Sequence, residues 1–246
     1  MSGPRTRRSG GGRVASVWPP GPDGFLALAL AVYSQPGDLV CDPDCGSGAV
    51  VVAAVRAGRH AVGVAPNPDR WQGARAALTA AKAAGAPGDG TILDRLPDRE
   101  SWTGPGPADL LLTTIGPSTD PADPSGLLDA RLRTRLTGYR DLVRPAGRLV
   151  VIADYHIDDG LDLASRIAVA GQRAGWRSVD RLVALTLPAS RTLGPRPAAG
   201  RARPAHVELL VFRHGAPAGP PPPQADPAPA CALAVPPALA AGRRAA

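Results

Sequence analysis

The chain has 246 residues, 44% hydrophobic and 20% charged, with a formal net charge of +7, which fits one domain of ordinary size with flanking tails. Its three cysteines, Cys41, Cys45 and Cys231, offer no disulfide framework, and none stands at metal-ligand spacing from a histidine, so no metal site is expected. The longest apolar stretch, Phe25–Tyr33, is too short to cross a bilayer, and the Gly/Arg/Ser-rich N-terminus lacks the apolar segment of a signal peptide, so no membrane partner and a cytoplasmic location are expected.

The charge is unevenly placed. Residues 1–13 carry Arg5, Arg7, Arg8 and Arg13 with no acid, and residues 214–246 carry Arg243 and Arg244 against Asp226, which leaves only +2 on residues 14–213. A basic N-terminal arm would add non-specific affinity for DNA or RNA, although such leaders are more often simply solvated. Lys82 is the only lysine among the 28 basic residues. Together with abundant Ala, Gly and Pro, that arginine excess is expected of a GC-rich genome.

In chain order, residues 1–13 read as a disordered basic tail, residues 14–213 as the folded domain, and residues 214–246 as a disordered Pro/Ala-rich tail. Val14–Trp18 reads as a short lead-in strand. Phe25–Ser34 is apolar all round and is expected to be a buried helix. Asp38–Cys41 is the first core strand, Ala49–Ala57 a crossover helix and His60–Val64 the second strand, a right-handed βαβ unit. Arg70–Ala84 is an alanine-rich helix closed by Gly85. Thr91–Leu93 is a third strand, and the unbroken apolar run Asp109–Thr114 a central parallel fourth. Leu127–Val143 reads as helix, Arg148–Ala153 as strand five, Asp162–Ala174 as helix and Ser178–Leu187 as strand six. His206–Arg213 closes the sheet antiparallel after a Pro/Arg/Gly-rich loop. The fold class is α/β, Rossmann-like, with a mostly parallel seven-stranded sheet and an antiparallel last strand.

The most informative stretch is Pro36–Gly48, a turn, a short buried strand and a glycine-rich loop that opens a helix. Gly46 and Gly48 let a ligand approach the backbone, and the helix N-terminus offers N–H groups to a polar or anionic group. The loop, Asp42-Pro43-Asp44-Cys45-Gly46-Ser47-Gly48, closely resembles the Asp-Pro-Phe-Cys-Gly-Ser-Gly motif of the amino-directed DNA and RNA methyltransferases. The resemblance continues upstream through Ser16-Val17-Trp18 and Tyr33–Asp38, and downstream through Gly58–Val64, Asn67-Pro68 and Leu142–Val151. It spans residues 14–213 in one consistent element order, as a class I methyltransferase fold requires.

That resemblance implies S-adenosylmethionine as cofactor. Asp42 would orient the loop and the methionine amino group, with Asp44, Cys45, Gly46 and Gly48 lining the cofactor and Asp94 near the adenine amino group. Plainer readings stand beside these, because a strand-end aspartate caps turns and Asp94 suits a cap for the next helix. Three positions depart from the family. Ala65 stands where an acid grips the ribose hydroxyls, a loss of about 2–5 kcal/mol of binding. Asp69, four residues on, is a candidate substitute. Asp44 replaces an aromatic or Met, placing a charge that would repel a cofactor carboxylate and attract a sulfonium. Ala49 replaces the common Thr.

The family's catalytic motif, Asp/Asn/Ser-Pro-Pro-aromatic, follows strand four, where it accepts from the target amine and stacks on an extruded base. Here Thr113-Thr114-Ile115-Gly116-Pro117-Ser118-Thr119 occupies that place. Thr114 keeps a hydroxyl acceptor and is the candidate catalytic residue, whereas the rigid dipeptide and ring are gone.

Other clusters carry less. Asp154–Asp159 contains a candidate general base but reads as a solvated loop with a helix cap. Arg131, Arg133 and Arg135 alternate around a helix and read as solvated surface. The chain has no Gly-x-x-x-x-Gly-Lys loop, which excludes a P-loop nucleoside triphosphatase, and a nicotinamide site lacks its third glycine and its ribose acid. The function expected is S-adenosylmethionine-dependent methyl transfer to an amino group of DNA or RNA. Two alternatives are a methyltransferase fold that has lost catalysis and serves as a regulatory or partner-binding module, and an enzyme whose altered loop accepts a small molecule.

Overall fold

A computed structural model describes residues 17–18, 24–95, 108–116, 125–153, 162–185 and 206–215. All of them belong to one compact unit, Met1–Gly215. Residues 1–13, the Asp154–Asp159 loop, the 188–204 loop and residues 216–246 with Cys231 lie outside the described residues, whereas His214, expected to open the C-terminal tail, ends the last strand.

The elements are β1 (Val17–Trp18), α1 (Gly24–Tyr33), β2 (Leu39–Asp42), α2 (Ala49–Arg56), β3 (His60–Val64), α3 (Pro68–Ala83), β4 (Asp89–Leu93), β5 (Ala108–Ile115), α4 (Ser125–Gly138), β6 (Val143–Ala153), α5 (Leu163–Arg173), β7 (Trp176–Leu185) and β8 (His206–His214). They build one eight-stranded sheet in the order β1-β7-β8-β6-β5-β2-β3-β4. Strand β8 runs antiparallel to β6 and β7, and every other pairing is parallel. Seven strands are those expected from the sequence, and the lead-in strand β1 adds an eighth at the β7 edge.

The chain winds outward from β2 through β3 to β4, then restarts on the other side of β2 with β5. Such a reversal opens a crevice at the carboxyl ends of the two central strands, where open α/β sheets bind ligands. The β2–β5 register pairs Val40 with Leu110 and Cys41 with Leu111. It therefore carries Asp42 and the Thr113-Thr114 pair to the same edge.

The pleat divides the core. Leu110, Leu112, Val150, Ile152, Leu209 and Val211 pack with α1, α2 and α3 on one face, while the intervening Leu111, Leu149, Val151, Leu210 and Phe212 pack with α4 and α5 on the other. Strands buried on both faces have no polar side to show, which is why they read as unbroken apolar runs. Arg59 is buried below the sheet, donating from Nε to Ser34 Oγ (3.1 Å) and from Nη2 to the Ser34 carbonyl (3.0 Å), and so locks the end of α1 to the start of β3.

Three elements differ from expectation. Helix α1 buries Ala29 and Leu30 but leaves Leu28 39% and Val32 38% exposed, because it lies against the sheet on one side only. The helix expected over Leu127–Val143 stops at Gly138, followed by a 3-10 turn over Tyr139–Leu142. Strand β6 then begins at Val143, pairs with Ala108, and shifts register before Arg148 meets Leu110. Gly147 permits this bulge: a Cβ there would come within 2.9 Å of the Ala108 and Asp109 carbonyl oxygens.

Candidate functional site

The loop after β2 is pinned by its own backbone. The Cys45 N–H donates to the Val64 carbonyl (2.9 Å), and the Gly48 N–H to the Cys45 carbonyl (2.7 Å). The Cys45 side chain packs inward, where a Cβ on Gly63 would meet its Sγ at 2.9 Å. Burial pushes the Cys45 thiol up to about 12, with the charges of Asp42 and Asp44 adding to the rise. Cys45 therefore anchors the loop to β3, and its backbone N–H is already spent on Val64.

The two loop glycines have separate reasons. Gly46 has φ +50, and a Cβ built on it would meet nothing nearer than the Asp44 carbonyl at 4.0 Å. The space beside it is open to a ligand. Gly48, with φ +84, caps α2, and a Cβ there would press on Ala74 Cβ of α3 at 3.1 Å. It allows the close approach of α3 as well as the turn. No side chain caps the N-terminus of α2, so its first N–H groups face the loop without one.

Asp42 is only 3% exposed. Its Oδ1 accepts from the Asp44 N–H at 3.2 Å. Burial pushes its carboxyl up to about 7; that hydrogen bond opposes the rise, the charge of Asp44 adds to it, and the nearby Thr113 hydroxyl lowers it slightly. Thr113 is fully buried, and its Oγ1 makes no hydrogen bond among the described residues. A buried carboxyl with a raised pKa and an unsatisfied hydroxyl thus adjoin at the switch point, an arrangement that a donor-bearing ligand would complete.

Asp44 is answered from the opposite face of the sheet. Its Oδ2 lies 2.5 Å from Arg135 Nη2 and 3.1 Å from Arg135 Nε, and accepts from the Tyr139 hydroxyl. Arg135 Nε also donates to the Tyr139 hydroxyl at 2.6 Å. The charge expected to repel a cofactor carboxylate is therefore neutralised within the protein. Of the three arginines read as solvated surface, Arg135 is bound in this network.

The remaining candidates are scattered along the same edge. Asp94 is exposed immediately after β4, and the Leu93 carbonyl before it accepts from the Ala65 N–H at 2.9 Å. Ala65 itself is 2% exposed and sits in the core. Asp69 is exposed in the first turn of α3, behind the cap in which Asn67 Oδ1 accepts from the Asp69 and Arg70 N–H groups. Thr114 is exposed near the end of β5, whereas its neighbour Ile115 is 1% exposed and belongs to the α4/α5 core. Pro117–Thr119 lie outside the described residues.

Sequence reasoning passed over Thr113, Arg135 and Tyr139. A signal was present for the last two: they stand four apart on the α4 side of the chain, and Asp44 is a charge without a local partner. Among the described residues, no three His, Cys, Asp or Glu side chains gather as a metal site, and no helix is long and apolar enough to cross a membrane.

No family model matches the chain, and no curated protein does. Solved structures do. The precorrin-8w decarboxylase of Methanobacterium thermoautotrophicum superposes with a TM-score of 0.51 at 18% identity, over 78% of this chain and 92% of that one. The precorrin-6y C5,15-methyltransferase of Geobacter metallireducens gives 0.50 at 14%, over 77% and 86%. A Clostridium thermocellum protein assigned as an rRNA methylase gives 0.50 at 12%, over 77% and 93%. The fold is that of the class I methyltransferases. At these identities the likeness speaks for the fold alone, and the site has to be judged on its own residues.

Those residues suit the methionine end of S-adenosylmethionine: a buried acceptor in Asp42, an unsatisfied hydroxyl in Thr113 and open space over Gly46. The ribose end is less well served, since Ala65 offers no acceptor.

Proposed function

We propose that this chain is an S-adenosylmethionine-dependent methyltransferase whose cofactor lies over the Asp42–Gly48 loop. One observation carries the reading: a buried carboxyl stands at the switch point of a class I methyltransferase sheet, beside a glycine whose missing Cβ opens onto free space. Asp42 accepts from the methionine amino group, Gly46 gives the ligand access to the backbone, and the α2 N-terminus faces its polar end. Asp94, exposed after β4, would accept from the adenine amino group. When bound, the cofactor supplies an electrophilic methyl group on its sulfonium.

The finer reading is transfer to an amino group of DNA or RNA, and it rests on the wording of the loop. In it, the exposed Thr114 hydroxyl accepts from the target amine and so aims the nitrogen lone pair. The basic arm of residues 1–13 would contribute non-specific affinity for the polyanion. A second reading, a fold kept without turnover for a regulatory or partner-binding role, is favoured by Ala65 and by the burial of Ile115.

Calorimetric titration of the full chain with S-adenosylmethionine and S-adenosylhomocysteine tests the choice. Micromolar binding that Asp42→Ala abolishes supports the cofactor site, and labelled-methyl transfer to RNA, DNA and small amines then sorts the substrates. No binding at millimolar ligand would leave the second reading standing.

A further inference from the structure

Away from the loop, helices α4 and α5 enclose a groove of about 230 Å³. It is lined by Asp129 and Arg133 from α4, and by Arg166, Val169, Ala170 and Arg173 from α5. The lining follows from helical periodicity. Positions 166, 169, 170 and 173 form one stripe of α5, and 129 and 133 are successive turns of α4. Among the described residues, three guanidiniums and a single carboxylate thus face one concavity.

That carboxylate is committed. Arg166 Nε donates to Asp129 Oδ1 at 2.8 Å. The Arg166 hydrogen bond and the charges of Arg166 and Arg173 hold the Asp129 carboxyl below its usual range. Arg133 and Arg173 have no ion-pair partner among the described residues. With one guanidinium cancelled, two positive charges remain in a space smaller than the roughly 300–1,000 Å³ of a drug-sized ligand pocket. Crowding like charges into a concavity is unfavourable unless an anion shares it. Guanidinium forks match the oxygens of phosphate, and a dianion balances the net charge of +2.

We propose that the α4/α5 groove is a binding site for a terminal phosphate dianion, held by Arg133 and Arg173, with the Asp129–Arg166 pair forming its wall. The inference does not depend on the methyltransferase reading, because the groove shares no residue with the Asp42–Gly48 loop.

The test is calorimetric titration of the full chain with inorganic phosphate, glycerol phosphate and dimethyl phosphate, at ionic strength fixed with chloride. Phosphate and glycerol phosphate are expected to bind, with the singly charged dimethyl phosphate at least about tenfold weaker. Arg133→Gln/Arg173→Gln is expected to weaken phosphate binding by at least about tenfold without moving the melting temperature of the ligand-free protein. Asp129→Asn is expected to strengthen it, since it removes the one negative charge that the described residues place in the groove. Phosphate binding that is absent, or the same in wild type and the double glutamine variant, would overturn the site. Equal affinity for dimethyl phosphate would overturn the terminal dianion in favour of a phosphodiester. A weaker rather than stronger Asp129→Asn would show that Asp129 serves the helix pair and not an anion.

Discussion

Asp44 and Arg135, 91 residues apart in sequence, meet at 2.5 Å and join the glycine loop on one face of the sheet to α4 on the other. Tyr139, almost fully buried, donates to the same carboxylate oxygen. The loop is thereby held at three points: to β3 through Cys45, to Asp42 through the Asp44 N–H, and to α4 through the Asp44 side chain.

Arg135→Met and Tyr139→Phe are each expected to cost about 1 kcal/mol. The ion pair is more than a third exposed and its Coulomb gain is screened, while Tyr139→Phe loses the hydroxyl's bond to Asp44 and the one it accepts from Arg135. An Asp44→Asn/Tyr139→Phe double-mutant cycle in urea is expected to show coupling of about 0.5 kcal/mol or more. Additive effects would mean that the two side chains do not act together.

Asp42 makes stability depend on pH. Its folded-state pKa, about 7, lies above its unfolded value, so between roughly pH 4 and pH 7 the native state holds a proton that the unfolded chain has released. Native stability is therefore expected to fall as pH rises through that window and to level off above it. Asp42→Asn, which needs no charge in the core, is expected to flatten this slope and raise the melting temperature at pH 8. The check is a series of thermal melts from pH 4 to pH 9 on both proteins, in which parallel curves would refute the assignment.

The same group links binding to pH in the opposite sense. A ligand ammonium is best held by the carboxylate form, so the affinity for S-adenosylhomocysteine is expected to rise as pH climbs past about 7 and then to plateau. Calorimetry at pH 6 and pH 8 is expected to show net proton release on binding at the lower pH. Binding unaffected by pH would remove Asp42 from the ligand.

The two loop glycines are separable by alanine. Gly46→Ala is expected to cost about 1–2 kcal/mol through its left-handed backbone, and also to weaken ligand binding, because the added methyl enters open space beside the loop. Gly48→Ala carries the same backbone strain plus a clash with Ala74, so its stability loss is the larger. Denaturant melts and calorimetry on both variants test this, and the reverse ranking of stability would exclude the α3 contact as the reason for Gly48.

At Ala65, introducing an acid brings two effects into opposition. Ala65→Glu is expected to tighten S-adenosylhomocysteine by about tenfold, roughly 1.4 kcal/mol. It is also expected to cost about 1–3 kcal/mol of stability, because the position lies in the core beneath the strand end. A stable variant with no gain in affinity would point to Asp69 as the acceptor already in use.

Much of this was legible in the chain itself. Strand β3 falls on His60–Val64 as expected, and the apolar stretches Leu110–Leu112 of β5 and Leu149–Ala153 of β6 suit strands covered on both faces. Gly46, Gly48 and Asp42 fall together because a few residues of turn geometry fix them, and local chemistry is what a sequence displays most directly. The end of α4 was not legible: Tyr139 and Val143 have no local reason to leave the helix, and do so because Tyr139 reaches Asp44 and Val143 pairs with Ala108. Nor was the outward face of α1, since an apolar helix does not reveal how much of itself the sheet will cover. The pairing of Asp44 with Arg135, and the nearness of Thr113 to the Asp42 carboxyl, bring together residues some 70 to 90 positions apart. The sequence by itself determined the elements, their order and the loop that faces the crevice, because each follows from periodicity and turn chemistry within a short window. Which charges are neutralised, which hydroxyl is left without a partner and which glycine faces open space were decided only when the sheet brought distant strand ends to one edge, because burial and charge pairing depend on neighbours in space.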